Sequence, residues 1–468
     1  MQGAFQPLAD FHTLTGISTD IVTVESVCAG GCIDADPRHD TAKAVKAYLQ
    51  ARSGLKYVIL GGDAEIVPTR WVHDSYTNPF DDSYDFDEDF VTDYYYSDLS
   101  EWDANHDGVY AEDGVDAPTY VPSLAVARIP ASTPSEAAAY IAKVESYDGM
   151  YPVDRTTTSL VVSDVAAEYL GVSIDSAWYL ESQGRSLSLL PYGFTYDKLY
   201  ATVLTPDPIA PALTTNSLKA AIAAGYNLIV HNGHGSEDTL IYTPDGELNG
   251  DAAAALTNTV PSILLSCACL AASFNEPDRW LRTDAAGERL VLNPHGGAIA
   301  YLGSTATGLG LAGGSQFIDE ILRFIQSQSS PLLADALLAA HENMPASDAF
   351  EVPYVHVGVP IVDQAGYEWS QKASTLLGDP LLPVWTSAPA PMVTLTLSAS
   401  PFCAGTRLTF HVSPAESGIV RFYAGRSLYE VPSIAGTATA EIRERPTRIR
   451  AAFYAPGRLY NTVELAVP

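Results

Sequence analysis

Three apolar runs of this chain stop at residues that can do chemistry. "LVVSD" ends at Asp164, "LIVHNGHG" carries His231 and His234 at its end, and "ILLSCAC" ends at Cys267 and Cys269. A nucleophilic site needs a thiol, an imidazole and a carboxylate. The thiolate attacks, the imidazole moves its proton, and the carboxylate fixes the imidazole tautomer. A free thiol titrates at about 8.5, so a nearby imidazole or peptide dipole has to promote its ionisation. Glycines around His234 permit tight turns and close approach of a substrate. The same residues also fit a plainer arrangement, in which two cysteines fill a core and a histidine merely ends a strand.

The runs that carry these residues sit in an alternating pattern. "TAKAVKAYLQARSG" reads as an amphipathic helix closing at Gly54, followed by the buried strand "KYVILGGD". "STPSEAAAYIAKVESYD" places Thr133 at an N-cap, Pro134 at the first helical position and Glu136 at the third, a capping box. "TSLVVSD", "YNLIVHNGHG", "PSILLSC" and "GGAIAYLGS" are short β-rich runs, several of them after helical patterns. This order predicts an α/β fold, a mostly parallel sheet covered by helices, in two subdomains over residues 1–150 and 151–388. Open α/β sheets bind ligands beyond the carboxyl ends of their strands, where Asp164, His234 and the cysteines stand.

After "GDPLLPVWTSAPAPM" the texture changes. Residues 391–468 hold eight Arg against five acids, a local charge of +3, while the rest of the chain carries −34. Runs such as "MVTLTLSAS", "RLTFHVSP" and "IVRFYAG" alternate with period two between turn residues. We expect an all-β sandwich of immunoglobulin type over residues 389–468, without the Cys…Trp…Cys core of antibody domains.

The 468 residues and the net charge of −31 set further bounds. Such a length predicts two or three domains, and such acidity argues against a nucleic-acid partner. Lysine is scarce, seven against eighteen Arg. The longest apolar stretch, Gly296 to Gly314, holds seven glycines and several hydroxyls, which fits a strand and loop rather than a membrane span. The start "MQGAFQPLADF" has neither a basic n-region nor a long apolar h-region, so no secretory leader is visible in it. Five cysteines do not make a disulfide framework. Cys28 and Cys32 are close enough to bridge, and Cys403 reads as a small core residue.

"HNGHGSED", then "CLAASFN", then "GERLVLNPHGGAIAYLGST" resemble the gingipain family of cysteine peptidases, relatives of caspases and legumain. The likeness extends through "YVILGGDAEIVPTRW", "TDYYYSDLSEWDANHDG", "VPSLAVARIPASTPSEA" and "STLLGDPLLPVW", in order, over nearly all of residues 1–388. It implies a caspase-like fold, and gingipains also carry an immunoglobulin-like domain directly after the catalytic one. The family's catalytic histidine falls on His234 of the His234–Gly235 pair. Its Cys-x-x-Gly-x-Phe pattern puts the nucleophile at Cys269 and the Phe at Phe274, with alanine in place of the Gly. Backbone N–H groups of Gly235 and Cys269 then form the oxyanion hole. His231 has no counterpart and reads as structural, and Cys267 reads as a buried thiol. The acid that orients the histidine maps to Asp164, and the acid of the substrate pocket, eleven positions on, to Asp175, with Glu168 as its rival. A carboxylate there selects Arg, or Lys less strongly, at P1, because it pairs bidentately only with guanidinium. The family's pocket-covering Trp has no equivalent in "GSTATGLGLAGGS".

"DANHDGVYAED" presents Asp103, Asn105, Asp107 and Glu112, oxygen donors spaced like the first half of an EF-hand loop, with Gly114 at position twelve. A structural calcium ion of non-EF geometry, which gingipains also bind, is one reading of this loop, and a solvated acidic turn is the other. The resulting expectation is a secreted or cell-surface, calcium-stabilised cysteine endopeptidase acting on proteins or peptides, with an inhibitory pro-segment lying outside this chain. The same fold with non-basic specificity, or a catalytically silent adhesion module, are the competing readings.

Overall fold

The structure is a computed structural model that describes residues 1–28, 41–77, 85–112, 114–116, 118–150, 155–169, 172–175, 194–201, 211–243, 246–274, 284–310, 313–344, 364–402, 405–456 and 462–467. Its residues fall into two compact units. One comprises Met1, Val22–Tyr140 and Thr157–Thr386, and the other Gln2–Ile21, Ile141–Thr156 and Ser387–Pro468.

The first unit is built on an eight-stranded sheet. Its spatial order is Tyr57–Gly61, Ala125–Ile129, Ser374–Gly378, Ala298–Ser304, Ser262–Ser266, Leu228–Asn232, Thr158–Ser163 and Thr195–Tyr200. The strands Leu228–Asn232, Ser262–Ser266 and Ala298–Ser304 are buried at every residue, which is why they read as continuous apolar runs rather than alternating ones. The last five strands in that order run parallel to one another, and so do the first three. The two sets meet antiparallel where Ser374–Gly378 lies beside Ala298–Ser304. The two sequence blocks on either side of residue 150 therefore share one sheet, because a strand from beyond residue 370 joins them.

Helices follow from local signals. Glu136 accepts the N–H groups of Ser132 and Thr133 at 2.9 and 3.0 Å, while the Thr133 hydroxyl accepts the Glu136 N–H at 3.2 Å. This capping box starts the helix Pro134–Met150. Thr214 and Ser217 cap the helix Thr215–Ala224 reciprocally, and Gly225, at φ +80°, ends it. That turn delivers the chain directly into Leu228–Asn232, the strand that precedes His234. A hairpin, Arg70–Tyr76 with Phe86–Thr92, stands apart from the main sheet.

The second unit holds an antiparallel sandwich. Thr394–Phe402, Gly405–Ser413 and Thr437–Ile442 form one sheet. Ser427–Ser433, Gly418–Ala424, Arg448–Tyr454 and Thr462–Ala466 form the other. Alternate residues Leu408, Phe410, Val412, Val420 and Phe422 fill its core, and the Phe410 and Phe422 rings lie 4.8 Å apart. The helix Gln2–Thr15 belongs to this unit, not to the α/β part with which it is continuous in sequence. Cys28 is disulfide-bonded, while Cys32 and Cys403 lie outside the described residues.

Candidate active site

Thr158–Ser163, Leu228–Asn232 and Ser262–Ser266 are adjacent parallel strands, with Val162 and Ser266 both in register with His231. Their carboxyl ends therefore form one rim, and Asp164, His234 and the two cysteines all follow it. This is the placement expected from three separate apolar runs.

The two cysteines have different surroundings. Cys267 is buried, its Sγ donates to Asn232 Oδ1 at 2.7 Å, and its N–H reaches the His231 carbonyl at 3.3 Å. Burial pushes this thiol up to about 11. Cys269 is partly exposed and free, with Sγ 3.8 Å from the Gly308 carbonyl oxygen. Its pKa is also raised, chiefly by burial, with the charge of Glu88 adding to the rise and the Gly308 contact opposing it. At rest Cys269 is thus a thiol that needs a base. The next residue, Leu270, holds φ +58°, a left-handed conformation that costs a non-glycine residue about 1 kcal/mol or more. That turn is held by the Leu270 N–H on the Ala306 carbonyl and the Ala272 N–H on the Ser304 carbonyl, at 2.9 and 3.0 Å. Ala271 and Ala272 are fully buried inside it.

The histidines also differ. His231 is fully buried, its Nδ1 lies 2.9 Å from the Ser266 hydroxyl, and burial drives its pKa down to about 3. It is neutral at any ordinary pH and has no access to substrate. His234 is exposed. Gly235 brings the His234 loop against the cysteine loop: a Cβ at Gly235 would lie 2.8 Å from Ala268 Cβ and 3.2 Å from the Cys269 carbonyl oxygen. Only glycine permits that approach. Among the described residues, neither the Gly235 nor the Cys269 amide donates to a backbone carbonyl.

Asp164 is fully buried and its N–H donates to the Asn232 carbonyl at 3.0 Å. Its Cβ packs on Gly233, where an added Cβ would come within 2.4 Å of it and 2.9 Å of His231 Nε2. Asp164 therefore sits under the residue preceding His234. Asp175 ends the strand Val172–Asp175, which pairs antiparallel with Val165–Tyr169 so that Asp175 stands opposite Val165. The segment is a hairpin that returns Asp175 to the neighbourhood of Asp164, not the start of a helix. The side chains of Asp175 and Glu168 lie outside the described residues.

One feature of this site is not legible as a motif. The family's covering aromatic has no equivalent in the loop after Ala298–Ser304, but Trp369, from the helix Gln364–Ala373, lies buried beneath that loop. Its indole N–H donates to the Thr307 carbonyl at 2.8 Å. The aromatic ring supports the loop from below.

In the acidic loop, Asp107 Oδ2 accepts from the Asn105 amide at 2.7 Å, and Asp103 accepts the Gly108 N–H at 3.4 Å. Asp116, not among the expected ligands, accepts the N–H groups of Ala104 and Glu112 at 2.7 and 3.0 Å. The donor chemistry suits a hard cation. Oxygens of Asp103, Asn105, Asp107 and Asp116 also accept amides of the same loop, and among the described residues no three His, Cys, Asp or Glu side chains converge as a metal cage.

Comparison with known proteins agrees with this geometry. The sequence profile of Peptidase family C25 matches residues 1–385. An uncharacterised protein of Archaeoglobus fulgidus is 25% identical over 387 residues, covering 75% of this chain and 84% of the relative. Among solved structures, the complex of the pro- and mature domains of Porphyromonas gingivalis RgpB superposes with a TM-score of 0.63 at 16% identity, covering 100% of this chain and 97% of that one. The Arg-specific cysteine proteinase gingipain R gives a TM-score of 0.64 at 15% identity, with 100% and 95% covered. A family match over most of the chain, on a gingipain-like fold whose rim carries Cys269 and His234, places this chain in Peptidase family C25, the gingipain family of cysteine peptidases.

Proposed function

We propose that this chain is an extracellular cysteine endopeptidase with Cys269 as nucleophile, His234 as general base and acid, and Asp164 as the group that orients the histidine loop. The observation that carries the reading is the contact of Gly235 with Ala268 and the Cys269 carbonyl, which joins an exposed histidine to a partly exposed thiol. The buried alternatives, His231 and Cys267, are engaged with each other's strands and shielded from substrate.

In the proposed cycle, His234 takes the Cys269 proton as sulfur attacks the scissile carbonyl carbon. The carbonyl electrons move to oxygen, and the amides of Gly235 and Cys269 stabilise that oxyanion, a contribution of about 3 kcal/mol in such sites. Collapse expels the amine, which receives the proton from His234. Water, deprotonated by the same imidazole, then hydrolyses the thioester and regenerates the thiol. Asp175, returned to the rim by its hairpin, is the pocket acid of this reading and favours Arg over Lys at P1. Calcium belongs to the proposal on donor chemistry alone, in the loop of Asp103, Asn105, Asp107 and Glu112.

Labelling with peptidyl chloromethyl ketones bearing Arg, Lys or Asp at P1, followed by peptide mapping, tests the reading. An adduct on Cys269 with the Arg reagent supports it. An adduct on Cys267 overturns the choice of nucleophile, and reaction with the Asp reagent alone discards the basic pocket.

A further inference from the structure

Glu88 lies in the strand Phe86–Thr92, on the face it shares with Phe86 and Phe90. Those two rings pack on Trp369, with centroids 6.3 and 5.2 Å from it. The Glu88 carboxylate reaches past them to the segment that walls the cysteine. One oxygen accepts the Thr307 N–H at 3.1 Å, and the other accepts the Thr307 hydroxyl. The Thr307 carbonyl is taken by the Trp369 indole, so every polar group of Thr307 is held. Two residues upstream, Thr305 is fixed by its hydroxyl on the Val91 carbonyl at 2.7 Å and its N–H on the Ala373 carbonyl at 2.9 Å. One residue downstream, the Gly308 carbonyl faces Cys269 Sγ, and a Cβ on Gly308 would sit 2.3 Å from the Cys267 carbonyl oxygen. Residues 305–308 are therefore a strap pressed against the strand end that carries both cysteines.

We propose that Glu88 is a positioning residue for the nucleophile: it holds the Thr307–Gly308 strap against Cys269 and sets a negative charge beside the sulfur. The proposal rests on Cys269 being the reacting thiol. The charge matters as well as the hydrogen bonds. The groups that face Cys269 electrostatically are Glu88, Cys267 and Tyr301, with His234 on the adjoining loop. Glu88 in turn stands directly across the hairpin from Asp74, whose carboxylate is 2.6 Å from the buried Lys372 ammonium. Lys372 is thus paired with Asp74 rather than with Glu88. The effect of the Glu88 charge is to disfavour the thiolate in the empty site, so that proton loss is left to His234 when a substrate arrives.

The test is the pH dependence of Cys269 alkylation by iodoacetamide in the full chain, quantified by peptide mapping. Glu88→Gln keeps an acceptor for Thr307 but removes the charge. We expect its midpoint to fall by a few tenths of a pH unit, with alkylation at pH 7 roughly two- to threefold faster. Glu88→Asp retains the charge and should keep the wild-type midpoint while slowing capture by the peptidyl ketone, since the shorter side chain no longer spans to both groups of Thr307. A midpoint unchanged in Glu88→Gln overturns the proposal, as does a midpoint shifted equally in both variants, which would mark a merely structural effect. Iodoacetamide needs no peptide turnover. A chain that alkylates with the expected shift but never reacts with peptidyl ketones would therefore sink the peptidase reading and leave this one standing.

Discussion

Asp93→Asn is predicted to destabilise the α/β unit by several kcal/mol. Arg128 is completely buried in the strand Ala125–Ile129, and Asp93 nearly so. Nε and Nη2 donate to the two Asp93 carboxylate oxygens at 2.7 and 2.8 Å, a bidentate fork. Nη1 donates to the Gly62 and Val67 carbonyls, both at 2.8 Å. The guanidinium lies 4.5 Å over the ring of Phe274, in the loop that carries Cys269. Removing only the negative partner leaves a buried cation uncompensated, a change that costs about 3–5 kcal/mol. For a unit of roughly 350 residues, unfolding entropy near the midpoint is about 0.7 kcal/mol per degree, so the midpoint should fall by about 4–7 °C. The assay is calorimetric melting of the full chain, with Asp93→Leu/Arg128→Met as partner variant. Replacing both ions by apolar groups of similar volume should recover most of the loss. A shift below about 1 °C in Asp93→Asn, or a double variant worse than the single one, would refute the argument that the pair is desolvated and mutually dependent.

His341 is held at about 3, well below the free imidazole value of 6.5, by burial against Tyr94 and Phe317. The unfolded chain takes up a proton below about 6.5 that the folded chain refuses, so this site's stability is complete above that pH and is lost as pH falls towards 3. Urea midpoints at pH 7.5 and 5 should show His341→Phe losing about 2 kcal/mol less than wild type over that interval. Gly308→Ala should reduce the rate of Cys269 labelling by the peptidyl-Arg reagent at least tenfold, because the new methyl meets the Cys267 carbonyl at 2.3 Å and must displace the strap. If the acidic loop holds calcium, chelation should lower the melting temperature and excess calcium should restore it. An unchanged melt would leave Asp103, Asn105 and Asp107 as caps of their own turn.

The strand ends were legible because each depends on local pattern: a continuous apolar run followed by glycine or a polar residue. The capping box at Thr133–Glu136 was legible for the same reason, as was the inward reading of Cys267, one residue past the strand Ser262–Ser266. The hairpin that carries Asp175 was not legible, since "VSID" is too short to declare one by periodicity. The least readable features are non-local. Arg128 finds Asp93 thirty-five residues away, and Glu88 finds Thr307 across 219. Each carboxylate belongs to an acid-rich stretch that looks solvated until the sheet assembles. Nothing in "STLLGDP" marks it as a central strand either, because its position depends on two other segments that must pair with it.

That strand has a consequence for how the molecule is made. Ser374–Gly378 lies in the middle of the sheet yet is the last of its strands to leave the ribosome. Until it arrives, Ala125–Ile129 and Ala298–Ser304 are two open edges, and the strap at Thr305 lacks the Ala373 carbonyl that anchors it. A nascent or prematurely terminated chain therefore holds its thiol and imidazole without the wall that shapes their site. Order of synthesis thus sets when the rim is completed: the sheet closes, and the strap gains its anchor, only once translation of the α/β unit is finished.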